Sequence, residues 1–331
     1  MSRNILITGS IVANLLSKHP ETTKQQVFAA VRTDEQAKAL STLGINVLKL
    51  DLSDEQAVVN EISSQKVGVI VYVADSINPE LALPLIKALE KQKESAGKPT
   101  AFYANSGWPR TVNKDTDAVF ETEKEFADSY PIRKTDVMVI EHAQAQGVTP
   151  FVIVPSIVYG RGTGSWNQLS VVVPGLTQAS LKLSLQAIHI SDLTALYYRI
   201  IHAALKNEDI PSGKEGYYFA VAHEMDMWEF QDHLAAAMKA RGLVSSDKPE
   251  VYSSDEFAAE AIDVPVEFLS ALYKSGGNFT ATRPQSIGWK PEWNKERFLK
   301  NVDVEIEDVI ELGKAKSSLI DSLFAAVGRP R

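Results

Sequence analysis

Residues 129–147, SYPIRKTDVMVIEHAQAQG, form the stretch that decides the fold of this chain. Pro131 suits the first turn of a helix, where its missing N–H costs nothing. Gly147 is typical of the position just past a helix end. The segment 151–155, FVIVP, is short and wholly apolar, which predicts a buried strand. A helix, a glycine and a buried strand make half of a parallel βαβ unit.

Two side chains of this predicted helix could carry chemistry. Tyr130 and Lys134 are four residues apart, so they project from one helix face. An ammonium group beside a phenol favours the phenolate and lowers its pKa from roughly 10, which makes a usable proton donor near neutral pH. The alternative is an ordinary amphipathic helix that happens to carry both residues.

The same alternation of strand and helix runs through the first half of the chain. Apolar runs predict strands at 4–8, 26–31, 45–50, 67–73 and 100–105. Helical patterns separate them at 11–19, 34–43, 54–63 and 79–93. Strands that alternate with helices of this length predict an α/β fold with a doubly wound parallel sheet. Ligands of such a sheet bind outside the carboxyl ends of its strands.

Composition and net charge argue against several classes of partner and of site. The chain has 331 residues, of which 44% are hydrophobic and 23% charged, as is usual for a globular protein. A net charge of −8 argues against nucleic acid or an anionic membrane as the main partner. The absence of cysteine excludes disulfides and thiolate metal sites. The first ten residues lack a signal-peptide pattern, so a cytoplasmic location is expected.

The motifs around Tyr130 resemble the short-chain dehydrogenase/reductase superfamily, in its extended and atypical branch of epimerase/dehydratase-like proteins. The resemblance covers roughly residues 1–300 and rests on Tyr130, Lys134, the strand that ends at Pro155 and the V-Y-G sequence at 158–160. It implies a Rossmann fold with a small C-terminal substrate lobe. It also implies that Tyr130 is the acid/base, that Lys134 lowers its pKa and holds a nicotinamide ribose, and that Ser106 polarises the substrate.

The resemblance also implies a division of the chain. Residues 1–160, with parts of 187–222, would form the NAD(P)-binding domain. Residues 161–186 and 223–300 would form the small lobe. The C-terminal tail, 301–331, is expected to be an acidic and then apolar helix that is packed or faces another subunit rather than taking part in catalysis.

The expected phosphate turn departs most from the family pattern. The family reads T-G-x-x-G-x-x-G, in which the glycines let the backbone approach a pyrophosphate. Here the turn reads Thr8, Gly9, Ser10 and keeps only the first glycine, and it is shorter by several residues. Three interpretations stay open: an inactive relative, a binding loop rebuilt elsewhere, or a sequence that lacks residues of the native protein.

The other cofactor contacts follow strand ends. Arg32 follows the second strand, where an arginine accommodates the 2′-phosphate of NADP, so NADP is favoured over NAD. A solvated turn arginine is the alternative. Asp51 resembles an adenine-contacting aspartate, although an aspartate before a helix is also a common cap. The resemblance adds further cofactor contacts at Leu52, Ala74, Pro155, Ile157 and Val158.

Two more segments that border the expected cleft are short, 105–114 and 182–187. Ser106 lies in the first of these segments, and the alternative is that it is an ordinary turn serine. Gly107 is the other candidate for the position of the family's catalytic hydroxyl. His142 is expected on the helix surface, and His189 and Asp192 are expected to be structural. No His, Asp and Glu cluster has metal-ligand spacing.

The sequence therefore predicts an NAD(P)-dependent oxidoreductase or epimerase/dehydratase-like enzyme. We expect its substrate to be a small molecule. An apolar, aromatic pocket is weakly indicated by Trp108, Tyr159 and Trp166. Two helical stretches within 117–146 could pair across a two-fold axis in a homodimer. The alternative function is a non-catalytic Rossmann protein that senses a dinucleotide or a protein partner, because the phosphate turn is short.

Overall fold

A central parallel sheet and a smaller second sheet organise the protein. The computed structural model describes residues 3–9, 11–92, 100–104, 114–164, 168–169, 184–249, 253–269, 279–313 and 318–329. The strands, in chain order, are β1 (Asn4–Thr8), β2 (Val27–Val31), β3 (Asn46–Lys49), β4 (Val67–Tyr72), β5 (Thr100–Ala104), β6 (Thr149–Pro155), β7 (Ile157–Tyr159), β8 (Ser184–His189), β9 (Tyr217–Ala220) and β10 (His223–Asp226).

The central sheet has seven strands in the order β3-β2-β1-β4-β5-β6-β9, and neighbouring strands are parallel throughout. Strand β1 lies between β2 and β4, and Thr8 at its end pairs with Ala30 on one side and Tyr72 on the other. The strand order reverses between β1 and β4, so a ligand crevice is expected outside the carboxyl ends of these two strands.

Helices cover both faces of this sheet. In chain order the α-helices are α1 (Val12–Lys18), α2 (Pro20–Gln26), α3 (Asp34–Thr42), α4 (Glu55–Ser64), α5 (Leu83–Lys91), α6 (Val119–Glu125), α7 (Pro131–Ala145), α8 (Ile190–Lys206), α9 (Met227–Ala240), α10 (Asp255–Ala261), α11 (Val266–Leu269), α12 (Thr282–Ser286), α13 (Lys295–Lys300), α14 (Val302–Leu312) and α15 (Ser318–Ala326).

The two faces have separate apolar cores. Buried side chains of α4, α5, α6 and α7 form one core with the sheet. Buried side chains of α1, α3 and α8 form the other core on the opposite face. Every residue of β4 (VGVIVY) is buried, as expected for a central strand that helices cover on both sides. The predicted doubly wound α/β fold is therefore confirmed.

A three-stranded sheet, in the order β10-β8-β7, supports the small lobe. Its β8 and β10 are antiparallel, whereas β7 and β8 are parallel. A third apolar core joins this sheet to α9, α10, α13, α14 and α15. Leu323 of α15 is fully buried in that core, so the C-terminal tail packs against the small lobe. Among the described residues, no helix combines the length and the apolar composition that crossing a bilayer requires.

Several local predictions were correct. Pro131 stands at the start of α7, and Gly147 follows the helix with a φ of 67°. Thr33 caps α3 in a reciprocal capping box with Gln36, as its position before the helix predicted. His142 is exposed on α7.

Other predictions were wrong in detail. Helix α2 (PETTKQQ) was missed, because its polar residues show no apolar period although Pro20 suits a helix start. The cap of α4 is Asp54, which accepts from the Ala57 N–H, rather than Ser53. The single helix expected over 79–93 is a 3₁₀ turn at Pro79–Leu81 followed by α5.

The C-terminal third also divides more finely than predicted. Helices α10 and α11 are separated near Pro265, and residues 270–273 lie outside the described part of the chain. The tail holds two described helices instead of one, because Gly313 ends α14 with a φ of 78°. The strands of the second sheet were missed, since they are short and alternate weakly.

Candidate active site

The predicted cofactor residues lie at or just after the carboxyl ends of strands, along one edge of the central sheet. Thr8, Arg32 and Ala74 end or closely follow strands β1, β2 and β4. Pro155 ends β6, and Asp51 lies just beyond the end of β3. Parallel strands present their carboxyl ends at the same edge, so these residues lie along the edge of the sheet where the crevice is expected.

The turn after β1 is packed directly against the end of β4. The Thr8 hydroxyl accepts a hydrogen bond from the Val73 N–H at 3.1 Å. Gly9 has a φ of 100°, and a Cβ built there would lie 2.6 Å from Val73 Cγ2 and 3.0 Å from the Val73 carbonyl oxygen. Only glycine fits this position without a shift of its neighbours. Ser10 lies outside the described residues.

Helix α1 follows this turn at once. It begins at Val12, and Ile11 at the preceding cap position makes no side-chain hydrogen bond to the helix. Val12, Ala13 and Leu15 are buried in the sheet core. The helix is thus placed by apolar packing against the sheet.

Arg32 is exposed immediately after β2. Its backbone N–H donates to Gln36 Oε1 at 3.1 Å, so the capping box of α3 fixes the backbone at this position. Its positive charge also acts on Tyr72 at the end of β4, where it opposes the rise in the pKa of Tyr72 caused by burial and by Asp75.

Asp51 is exposed and holds the loop after β3. Its Oδ1 accepts from the Ser53 N–H at 2.9 Å and from the Ser53 hydroxyl at 2.7 Å, and these bonds lower the pKa of Asp51. It does not cap α4, so the cap interpretation of this residue was wrong. The adjacent Leu52 is half-buried against the sheet core.

The loop after β4 connects three parts of the molecule. Asp75 Oδ1 accepts from the N–H groups of Ile77 and Asn78, at 2.8 and 3.0 Å. Its Oδ2 accepts from the hydroxyl of Ser322 in α15 at 3.2 Å. The Thr135 hydroxyl of α7 donates to the Ile77 carbonyl at 2.9 Å. Half-buried Ala74 begins this loop, which ties the crevice to α7 and to the tail.

Tyr130 stands at the cap position of α7 in extended backbone. Its side chain is 2% exposed, and its ring lies 6.2 Å from that of Phe268 in the small lobe. The Arg133 guanidinium lies over the Tyr130 ring at 5.7 Å from its centre. Lys134, one turn into the helix, is exposed. The first cationic neighbour of the tyrosine ring is therefore Arg133, which the sequence analysis did not consider.

A buried acidic cluster anchors α7 below Tyr130. Glu123 of α6 and Asp136 of α7 are both fully buried, and the Tyr217 hydroxyl donates to Glu123. Burial, and then the charge of Glu123 and its hydrogen bond, raise the pKa of Asp136 well above its usual range. Burial and the neighbouring Glu123 carboxyl therefore both favour the protonated form of Asp136.

The segment after β6 carries the other predicted cofactor contacts. Pro155, Ile157 and Val158 are half-buried. Ser156 between them donates both its N–H and its hydroxyl to the Ala220 carbonyl, at 3.1 and 2.9 Å. This pair of bonds fixes the segment to β9. It leaves the flanking apolar side chains at the crevice edge.

An aromatic group continues from this segment into the small lobe. The Tyr159 hydroxyl is 2.9 Å from His223 Nε2, and His189 stacks on Trp293 at 3.7 Å. The Asp192 carboxylate accepts from the N–H groups of Glu292 and Trp293, at 3.0 and 2.9 Å. These contacts join the small lobe to α8, which agrees with the structural role expected for His189 and Asp192.

The tail holds the loop that follows Tyr159. The Gly160 N–H donates to Glu305 Oε1 of α14 at 2.7 Å. Arg161 pairs with Asp308 at 2.9 Å and with Glu311 at 2.7 Å. Burial and the nearby Asp308 raise the pKa of Glu305 to about 7, although the Gly160 N–H and Asn301 oppose this rise.

We expect Glu305 to make stability depend on pH. The carboxyl titrates near 7 in the folded chain and near 4.5 when exposed, so its contribution is fully present below pH 4.5 and is lost as pH rises through 7. Glu305→Gln should therefore gain about 3 kcal/mol relative to wild type between these pH values. Urea unfolding at a series of pH values measures the difference, and parallel curves for the two proteins would contradict it.

Several predicted residues lie outside the part of the chain that the structure describes. They are Ser10, Ser106, Gly107, Trp108 and Trp166. Among the described residues, no group of three His, Asp or Glu side chains could hold a metal ion. The sequence analysis did not predict three residues of this site, Asp75, Glu305 and Arg133. A signal existed only for Asp75, which opens the polar D-S-I-N-P turn after a buried strand.

The fold is shared with solved enzyme structures. No family model and no curated protein sequence matches the chain. UDP-glucose 4-epimerase from Thermotoga maritima, in a structure with UDP-glucose, has a TM-score of 0.60 at 12% identity and covers 93% of this chain and 99% of its own. Vestitone reductase from alfalfa has a TM-score of 0.60 at 16% identity and covers 95% and 99%.

A third similar structure contains a nucleotide. The Bordetella bronchiseptica enzyme WbmG, in complex with NAD, has a TM-score of 0.61 at 14% identity and covers 93% of this chain and 95% of its own. These neighbours are consistently enzymes of the NAD-dependent epimerase/dehydratase-like kind. At such identities the similarity establishes the fold, and at that level it confirms the resemblance indicated by the motifs around Tyr130.

Proposed function

We propose that the protein is an NAD(P)-dependent oxidoreductase or epimerase/dehydratase-like enzyme that acts on a small carbonyl or alcohol. The observation that carries this proposal is the position of Tyr130. Its buried ring stands at the start of α7, beside Phe268 of the small lobe. A crossover helix begins at the carboxyl edge of a parallel sheet, so Tyr130 adjoins the same crevice as the strand ends.

The described residues at this edge fit a dinucleotide. Arg32 and Asp51 expose charged groups just after β2 and β3, at the carboxyl edge of the sheet. Arg32 would meet the adenosine ribose and its 2′-phosphate, and Asp51 with Leu52 would meet the adenine. Ala74, Pro155, Ile157 and Val158 would line the nicotinamide end. When bound, the nicotinamide supplies or accepts a hydride.

We assign the proton transfers of the reaction to side chains of this protein. The Tyr130 hydroxyl would donate a proton to a substrate oxygen in reduction and accept it in oxidation. Lys134, exposed one turn along α7, would hold the nicotinamide ribose and favour the phenolate. Ser106 would hydrogen-bond the substrate oxygen. Burial of Tyr130 beneath the small lobe would keep water from the transferred proton.

Arg32→Ala tests the preference for NADP(H) over NAD(H). Loss of charge-assisted hydrogen bonds to the 2′-phosphate should weaken NADP(H) binding by about 1.5–3 kcal/mol. Binding of NAD(H), which has no such phosphate, should stay nearly unchanged. Calorimetric titration of both nucleotides measures this, with exposed Lys38→Ala on α3 as the matched control. Equal losses for both nucleotides would remove Arg32 from this role.

The general test of the function is nucleotide titration of the whole chain, followed by NADPH oxidation with a panel of aldehydes and ketones. Nucleotide binding with turnover supports the enzyme. Nucleotide binding without turnover on a broad panel supports a second candidate, a non-catalytic protein that senses a dinucleotide or a protein partner. The close packing of Gly9 against Val73, directly before α1, favours this candidate because it leaves a short phosphate turn.

We also propose the domain division implied by the resemblance, with residues 1–160 and parts of 187–222 binding nucleotide. Residues 161–186 and 223–300 would then bind substrate. The tail, 301–331, would support the second unit, since Leu323 is buried in the small-lobe core. Limited proteolysis that releases a stable nucleotide-binding fragment from within residues 1–160 would support this boundary.

A homodimer through α6 and α7 is the proposed assembly. The helices lie side by side, and Lys124 of α6 pairs with Glu141 of α7 at 2.7 Å. Phe126, which follows α6, is 40% exposed and would be covered in a two-fold contact. Light scattering at micromolar concentration should give twice the chain mass of 36.4 kDa. A monomeric mass under these conditions would rule the dimer out.

A further inference from the structure

A second cavity lies at the other end of β1, away from the candidate active site. It has a volume of about 410 Å³ and is lined by residues of β1, α1, α2, the start of β2 and the last turns of α8, with its basic residues at the start of β1 and the end of α8. Strand β1 runs from Asn4 at this end to Thr8 at the nucleotide edge, a span of roughly 15 Å. The volume falls within the roughly 300–1,000 Å³ that is typical of small-molecule sites.

The bend between α1 and α2 opens this cavity. Helix α1 ends at Lys18, and Pro20 begins α2 after a single residue, His19, with φ −136° and ψ 60°. A proline disfavours helical backbone at the residue before it, so one straight helix does not cover the sheet here. The His19 ring stacks on Tyr198 of α8 at 3.4 Å, which fixes the bend against the cavity wall.

The cavity is apolar on the side of β1, β2 and α8, whereas Thr22, Thr23 and Gln26 line it on the side of α2. Ile5 and Val27 contribute from β1 and β2, and Ile201 and Leu205 contribute from one face of α8. Ile5, Val27 and Ile201 are each less than 5% exposed. The walls therefore favour an aliphatic body over a polar one.

The charged side chains that line the cavity are all basic. Arg3, His202 and Lys206 line it, and the described lining residues include no carboxylate. Arg3 is held at the end of α8, where its Nη2 donates to the Ala204 carbonyl and to Asn207 Oδ1. The nearest acid on α8's side is Glu208, which pairs with Arg199 at 2.7 Å and lies 3.5 Å from His202. Basic groups beside an apolar wall complement an anion with an aliphatic tail.

We propose that this cavity binds an amphipathic monocarboxylate. Its unbranched aliphatic chain would lie against Ile5, Val27 and Leu205, and its carboxylate would face Arg3 and Lys206. The site is independent of the proposed enzymatic function, because its basic residues lie at the opposite end of β1 from Gly9. A nucleotide at the candidate active site would not compete with this ligand.

The test compares three probes that share a ten-carbon chain, each titrated calorimetrically below its micelle-forming concentration. Decanoate should bind one to one, and about tenfold more tightly than decanol, which is the worth of one charge-assisted hydrogen bond. Decyltrimethylammonium should not bind. Equal binding of all three probes, or decanoate binding weaker than about 1 mM, overturns the proposal.

Variants locate the binding site. The double variant His202→Glu with Lys206→Glu changes exposed or half-buried positions of α8 and should weaken decanoate about tenfold or more. Lys38→Glu, exposed on α3, reverses a charge elsewhere and should change affinity less than about twofold. Leu205→Trp should fill the cavity and abolish binding. If Leu205→Trp unfolds, the double variant decides, and unchanged decanoate affinity in it overturns the proposal.

Discussion

Tyr130→Phe should lower turnover by roughly 10²–10⁴-fold while nucleotide affinity and melting temperature stay close to wild type. The substitution removes the hydroxyl and keeps the ring that packs near Phe268 and beneath Arg133. Turnover is measured as NADPH oxidation with whichever aldehyde or ketone gives a rate with the wild-type chain. Lys134→Met should lower turnover and also weaken the nucleotide, because the ammonium is proposed to serve both.

A matched variant separates chemistry from packing. Tyr197 is also a buried tyrosine, but it lies in α8 on the opposite face of the sheet. Tyr197→Phe should leave turnover within about twofold of wild type, since loss of one buried hydroxyl costs stability rather than rate. If Tyr130→Phe behaves like Tyr197→Phe in every assay, Tyr130 is a packing residue and the acid/base proposal fails.

The central sheet could be predicted because its strands are recognisable from their own sequence. Most strands of the central sheet are short apolar runs, and β4 is apolar enough to be recognised without its neighbours. The second sheet could not be predicted in this way. Its β10, HEMD, has one buried residue, Met225, and becomes a strand only by pairing with β8. Pairing over that distance leaves no local pattern.

The residues of the candidate site also differ in whether a local sequence pattern predicts them. Tyr130, Arg32 and Asp51 could be placed because each has a fixed position relative to a strand end or a helix start. Asp75 and Glu305 could not be connected to it, since their partners Ser322 and Gly160 are distant in the chain. The tail was expected only to pack, whereas its side chains hold two loops that border the crevice. Such contacts depend on the finished fold.

Gly9→Ala should destabilise the fold through both a steric contact and an unfavourable backbone conformation. A Cβ at Gly9 would lie 2.6 Å from Val73 Cγ2 and 3.0 Å from the Val73 carbonyl oxygen, at a φ of 100°. Overpacking costs about 1–3 kcal/mol, and a strained backbone costs a similar amount. We therefore expect a loss of about 2–5 kcal/mol in the free energy of unfolding, measured by urea denaturation.

Gly242→Ala isolates the backbone part of this cost. Gly242 follows α9 with a φ of 69°, and a Cβ there would meet nothing within 4 Å. Its substitution should cost only about 1 kcal/mol. Gly9→Ala combined with Val73→Ala should recover part of the loss, because it removes the Cγ2 contact while the carbonyl contact at 3.0 Å remains. Equal losses for Gly9→Ala and Gly242→Ala would show that the turn after β1 has room to spare. The short phosphate turn would then be no obstacle to a dinucleotide, and the non-catalytic alternative would lose the observation that favours it.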